Sequence, residues 1–160
     1  MQTPIRGRAV IRMTAPTSSL GRRPGETAGG SERVFGLRLE HDPRAAATAR
    51  HAARPVLSAW GLDDDRLYDT LLVLSELVTN AVTHGRPPAV LYLRAQDSPG
   101  QVQVHVSDGG PQGAPAGWAT DRPADERGRG ASIVAALADS TGITDRTGTL
   151  IDHWADIPAA

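Results

Sequence analysis

The segment that leaves this chain the least freedom is residues 63–85. Leu67, Leu71, Leu74, Val78 and Val82 recur there at spacings of three and four, with Leu72 flanking the stripe. That is the period of a helix with one apolar face. Asp63, Asp64 and Asp65 stand at its first turn, where the helix dipole favours negative charge. His84-Gly85 and then Pro87-Pro88 close it, since a glycine past the last turn and prolines beyond it stop a helix. An oily stripe of this length demands a sheet or further helices to cover it, so the chain is expected to build a layered core around this element.

The opposite side of the same helix carries Glu76, Asn80 and His84, spaced by four and therefore on one face. The ordinary meaning of such a row is a solvated surface. Two features weigh against it. Asparagine is a poor helix-interior residue because its amide competes with the backbone. Residues 75–83 are otherwise apolar or small, whereas an exposed row would carry longer charges. A carboxylate one turn from an amide oxygen suits a hard cation and an activated hydroxyl. The amide carbonyl can ligate Mg²⁺, and the glutamate can take a proton.

Periodicity around this helix predicts β α α β β, a loop, then α β β. Residues 33–39 alternate as a short strand. Asp42-Pro43 reads as N-cap and first helical residue. The helix they open runs to about Ala59, with Ala46, Ala49, Ala53, Val56 and Leu57 inward, Pro55 inside it and Gly61 ending it. Residues 89–95 and 101–107 read as strands joined by a turn at 97–100, and the second places Val102, Val104 and Val106 on one face. Residues 108–127 form a long loop of the kind that serves as a lid or binding loop. A third helix is expected over about 130–139, and residues 141–146 and 149–157 as a hairpin turning at Thr147-Gly148. The expected class is α/β, an α+β two-layer sandwich with helices on one face of a mixed sheet.

Composition narrows the chemistry. All 17 basic residues are arginine, so the lysine of a P-loop nucleotidase cannot exist here. No cysteine is present, which excludes disulfides, zinc-thiolate sites and a cysteine nucleophile. No apolar run is long enough to span a membrane. The net charge of −1 is an average. Residues 1–31 hold five arginines against Glu26, and the remainder is acidic. The first stretch, rich in Gly, Pro, Ser and Thr, is expected to be a disordered tail, with one domain over 32–160. Scattered arginines without aromatics make a poor nucleic-acid interface or transit peptide. A solvated tail, or a start assigned too far upstream, explains them more simply.

Two more segments carry candidate chemistry. Asp108-Gly109-Gly110 follows the alternating strand. It reads either as a hairpin turn or as an aspartate accepting from a planar amine, with glycines that let a ligand approach the backbone. Gly128-Arg129-Gly130 stands ahead of the third helix, where exposed backbone N–H groups and the helix dipole attract phosphate. Arg129 either adds a charged fork to that phosphate or faces solvent.

Taken in order, SELVTNAVTHG (75–85), VSDGG (106–110) and ERGRGASIVAALAD (126–139) resemble the GHKL ATPase superfamily, in particular the small anti-sigma-factor serine kinases and histidine kinase-like ATPase domains. Residues 76–85 match the pattern E-L-x-x-N-A-x-x-H-G at every fixed position. The resemblance covers about residues 33–158. It implies the Bergerat fold, a mixed sheet covered on one face by three helices, with ATP beneath a mobile lid. By motif, Glu76 would be the general base, Asn80 the Mg²⁺ ligand and Asp108 the partner of the adenine amine. Gly110 would line the adenine pocket, Gly128 and Gly130 (with Arg129 between them) would hold phosphates, and Thr149 would lie near adenine or phosphate.

The implied activity is Mg-ATP-dependent phosphorylation of an anti-sigma-factor antagonist on serine or threonine, in bacterial transcription regulation. The alternative is a nucleotide-binding anti-sigma factor, or orphan regulatory module, that sequesters its partner without phosphotransfer. The implied partners are a sigma factor, an antagonist protein or both, with a homodimer allowed and no nucleic acid or membrane contacted directly. The implied location is the cytoplasm. This chain departs from the family at Gln112 (glycine in D-x-G-x-G), at Ala131 (a larger apolar residue), at Thr149 (lysine in many relatives) and by Pro111, Pro115 and Pro123 in the loop. None of these removes a proposed chemical group; they bear on how tightly the loop closes over phosphates.

Overall fold

The computed structural model describes residues 32–96, 100–112, 128–146 and 148–159. The 1–31 tail, residues 97–99 of the turn expected at 97–100, loop residues 113–127 with Pro115 and Pro123, and Thr147 of the final turn lie outside them. Five strands and three helices follow in the expected order: β1 (Glu32–Leu39), α1 (Ala45–Ala59), α2 (Asp64–His84), β2 (Ala89–Gln96), β3 (Gln101–Asp108), α3 (Gly128–Leu137), β4 (Ser140–Asp145) and β5 (Ile151–Pro158). The strands form one sheet in the order β1-β2-β3-β5-β4. The α+β two-layer reading holds, with one correction. The sheet is not mixed, because every hydrogen-bonded pair is antiparallel. The crossover through α3 does make β4 run parallel to β3, but β5 lies between them and is antiparallel to both.

The long helix forms where its pattern puts it. Asp63 is the N-cap, its carboxylate accepting from the Arg66 N–H at 2.8 Å, and this satisfies one orphan donor of the first turn. Leu67, Leu71, Leu74 and Val78 are buried, with Val82 packed at the edge. The stripe lies against β3, and α2 also touches α1 and α3. In α1 the residues that are buried, Ala45, Ala49, Ala53 and Leu57, recur every four. Such small side chains let two helices approach closely. Ala46 and Val56, expected inward, are only half-buried.

Cap details shift the remaining boundaries. The N-cap of α1 is Arg44, not Asp42; the Asp42 carboxylate accepts from the Arg44 N–H at 2.7 Å, an Asx turn that delays the helix by two residues. Gly61 takes φ +88° after α1, as expected of a glycine that ends a helix. Helix α3 starts at Gly128 and stops at Leu137, two residues earlier at each end than its periodicity suggests. Asp139 already turns toward the sheet, its backbone N–H donating to the Asp156 carbonyl at 2.9 Å just before β4 begins.

Register places Leu91, Leu93, Val102, Val104, Val106, Ala155 and Ile157 under the helices, all buried. On the other face one row crosses all five strands: Gly36, Tyr92, His105, Trp154 and Gly142. The outer two are glycine for a steric reason. A Cβ on Gly36 would stand 3.2 Å from the Tyr92 ring, and one on Gly142 would run into the Trp154 ring. Among the described residues no helix is long and apolar enough to cross a membrane.

Candidate functional site

Two clusters form along α2, one near its middle and one at its C-terminal end. In the first, Glu76 stands half-buried on the polar side of α2 and meets α3. A Cβ on Gly130 would collide with the Glu76 carboxylate oxygen. Gly130 is the third residue of α3, so the carboxylate lies against the turn whose backbone N–H groups have no helical partner. Glycine there is what lets Glu76 reach that turn. Asn80 follows one turn later on α2 and is also half-buried. Gly128 opens α3, and Arg129 is exposed on its first turn.

The second cluster is built from the ends of α2 and β3. Asp108, the last residue of β3, is 3% exposed. Its Oδ1 accepts the Gly110 N–H at 2.7 Å, and its Oδ2 lies 3.3 Å from His153 Nε2. Gly85 lies directly against this carboxylate, since a Cβ there would be 2.5 Å from Asp108 Cγ. Gly110 takes φ +81°, the left-handed conformation that glycine adopts without strain.

The chain after α2 is stitched to the chain after β3. Arg86 N–H donates to the Gly110 carbonyl at 2.7 Å, and Gly109 N–H to the Arg86 carbonyl at 2.6 Å. Gln112 donates through its backbone to His84 O and through its side chain to Gly85 O, both at 2.9 Å. His41 Nε2 meets the same Gly85 carbonyl at 2.9 Å. Gln112, a departure from the family pattern, thus terminates α2 by satisfying carbonyls that a helix end leaves free. Gly109 has a structural duty too. A Cβ there would be 2.5 Å from the Pro87 carbonyl oxygen, so the close approach it permits is to the 86–87 backbone.

The structure brings Glu76 together with Gly130, and Asp108 with Gly110. Thr149 is exposed between β4 and β5, after Gly148 with φ +71°. Sequence reasoning missed His153 and His41, and it singled out Gln112 without its bonds to the end of α2. For His153 the signal was available in strand parity: it alternates with Ile151 and Ala155, on the face that carries the core.

A second buried carboxylate lies on the helix-free face. Asp152, 1% exposed, accepts from His105 Nδ1 at 2.8 Å and Ser107 Oγ at 2.9 Å, with Arg146 Nη2 at 3.2 Å. Burial alone would raise its pKa. The hydrogen bonds from His105 and Ser107, and the charges of His105 and Arg146, outweigh burial and hold it below the ordinary carboxylate value. A depressed carboxylate stabilises the fold above its unfolded pKa, and that stability is lost as pH falls through the folded value. Asp152→Asn is therefore expected to cost about 1–3 kcal/mol at neutral pH. The gap to wild type should narrow as pH falls below about 4, which urea unfolding at a series of pH values measures.

The sequence profile of the histidine kinase-like ATPase domain matches residues 39–152, which contain the first cluster and, of the second, every residue but His153. No curated protein matches the chain. Among solved structures, it is similar to the crystal structure of the RsbU and RsbW domains of Rv1364c from Mycobacterium tuberculosis. The TM-score is 0.60 at 21% identity, over 79% of this chain and 32% of that one. The likeness is one of fold, and this chain spans about a third of that chain's length.

Proposed function

The chain belongs to the family of histidine kinase-like ATPase domains, and from that premise we propose that it is a cytoplasmic Mg-ATP-dependent serine/threonine kinase of the anti-sigma-factor type. Its substrate in this reading is an anti-sigma-factor antagonist, in bacterial transcription regulation. The fold likeness to a structure containing an RsbW domain supports that choice. The observation that carries the reading is Glu76 against the first turn of α3, at the glycine whose Cβ would displace it.

The two clusters are spaced for a nucleoside triphosphate. Gly85, just past the end of α2, lies nine positions beyond Glu76, about 13 Å of helix rise. Asp108 at the far end accepts from the adenine amine. The N–H groups of Gly128 and Gly130 at the start of α3 receive phosphates, with Arg129 as a second charged donor. Thr149 is assigned to the nucleotide's edge by motif alone. Asn80 fits Mg²⁺ as one amide-oxygen ligand beside a carboxylate, and the ion when bound neutralises charge on the transferred phosphoryl group. Glu76 takes the proton of the attacking hydroxyl as its oxygen bonds to the γ-phosphorus. The bond from that phosphorus to the β–γ bridging oxygen breaks, and ADP leaves.

One observation favours a second reading, a nucleotide-binding anti-sigma factor that sequesters its partner without transfer. Gln112, where the family has glycine, pins the start of the loop to the end of α2, which opposes closure over phosphates. Incubation with γ-labelled Mg-ATP and a candidate antagonist separates the two: the kinase reading expects labelled phosphoserine or phosphothreonine on the antagonist. Retained ATP binding with no label selects sequestration. No ATP retained in equilibrium dialysis overturns both.

A further inference from the structure

A second side chain stands behind Asp108. His153 is opposite Val106 in the β3–β5 register, and Ile151 is opposite Asp108. His153 and Asp108 are therefore diagonal neighbours on one face of the sheet, with His153 Nε2 3.3 Å from Asp108 Oδ2. An imidazole nitrogen facing a carboxylate carries its hydrogen toward it, so Nε2 presents an N–H to Oδ2 across this 3.3 Å contact. The Gly110 N–H occupies the other oxygen at 2.7 Å, and Gly85 leaves the carboxylate no room to retreat. Each carboxylate oxygen has two acceptor sites. With one donor on each oxygen, Asp108 is held in a fixed orientation and still has capacity to accept from a ligand amine.

We propose that His153 is a positioning residue for the nucleotide base. By donating to Asp108 Oδ2 it keeps that carboxylate turned as an acceptor, and so selects a 6-amino purine over a 6-oxo purine. The inference rests on the nucleotide-binding reading above. The chemistry is a matter of donors and acceptors. A 6-amino purine offers an N–H to Asp108, whereas a 6-oxo purine offers an oxygen that faces an acceptor and finds no hydrogen. Without the imidazole, Oδ2 loses its neighbour and the carboxylate is free to turn about the Gly110 contact, away from the ligand amine.

The test compares ATP with inosine triphosphate, in equilibrium dialysis on the full chain. Wild type is expected to prefer ATP. His153→Leu, which fills the space without a donor, should lower the ATP-to-ITP preference about tenfold, the equivalent of one hydrogen bond. His153→Gln, whose amide nitrogen falls near the position of Nε2, should keep the preference within about threefold of wild type. His153→Asn, with an amide too short to reach, gives the same contrast as leucine if the leucine variant does not fold. A wild-type preference in both donor-less variants overturns the proposal, as does equal loss in the glutamine variant, which would make the role one of packing. A wild type that binds neither nucleotide overturns the nucleotide reading itself. A wild type that binds both equally overturns only the role of His153.

Discussion

Glu76→Gln is expected to lower phosphate transfer by about 100- to 10,000-fold, the range that a positioned general base contributes, while leaving ATP binding within a few-fold. Glutamine keeps the shape and the hydrogen-bonding oxygen but cannot take the proton. The size of the effect follows from where the side chain stands. Glu76 is half-buried, rises from a helix whose other face is locked into the core, and abuts Gly130. A base held by a rigid element loses little when its substrate arrives. Glu76→Ala removes the carboxylate altogether and should behave alike. Single-turnover transfer of labelled phosphate, with dialysis for binding, is the measurement. A glutamine variant that still labels its partner at the wild-type rate would remove Glu76 from the chemistry.

How much of this could be read from the sequence differs by element. The stripe of α2 was fully legible, because a long helix with one apolar face has one way to be buried. Val102, Val104 and Val106 were legible for the same reason at period two. Helix starts were less so: Asp42-Pro43 signals a cap in general, yet here its side chain closes a turn on Arg44 instead. The sheet's antiparallel character was hidden because a βαβ crossover predicts parallel neighbours, and no local signal tells that β5 inserts between them. Of the site, the spacing of Glu76 and Asn80 was visible, and so were the glycines. The partners of those residues were not. That His153 backs Asp108, and that Gln112 closes α2, depends on pairings between segments far apart in the chain.

Gly109 and Gly130 look interchangeable in the sequence, as glycines beside nucleotide motifs, and the structure predicts opposite consequences for changing them. At Gly130 the obstacle to a Cβ is the carboxylate of Glu76, the free end of a side chain that can swing away. Gly130→Ala should leave stability nearly intact and lower transfer, because the base is displaced. At Gly109 the obstacles are the Pro87 and Arg86 carbonyl oxygens, 2.5 and 2.9 Å from an added Cβ. These belong to backbone that is hydrogen-bonded in place, with Gly109 N–H on Arg86 O and Arg86 N–H on Gly110 O. Relief requires separating the two stitched segments and breaking those bonds. Gly109→Ala is therefore expected to cost about 3 kcal/mol or more, at the upper end for overpacking. Because Asp108 is the neighbouring residue, ATP affinity should fall with it. Urea unfolding of both variants, beside ATP dialysis, checks the pair. If Gly109→Ala were as stable as wild type, the 86–87 segment would be free to yield, and the Asp108 end of the site would not be held by it.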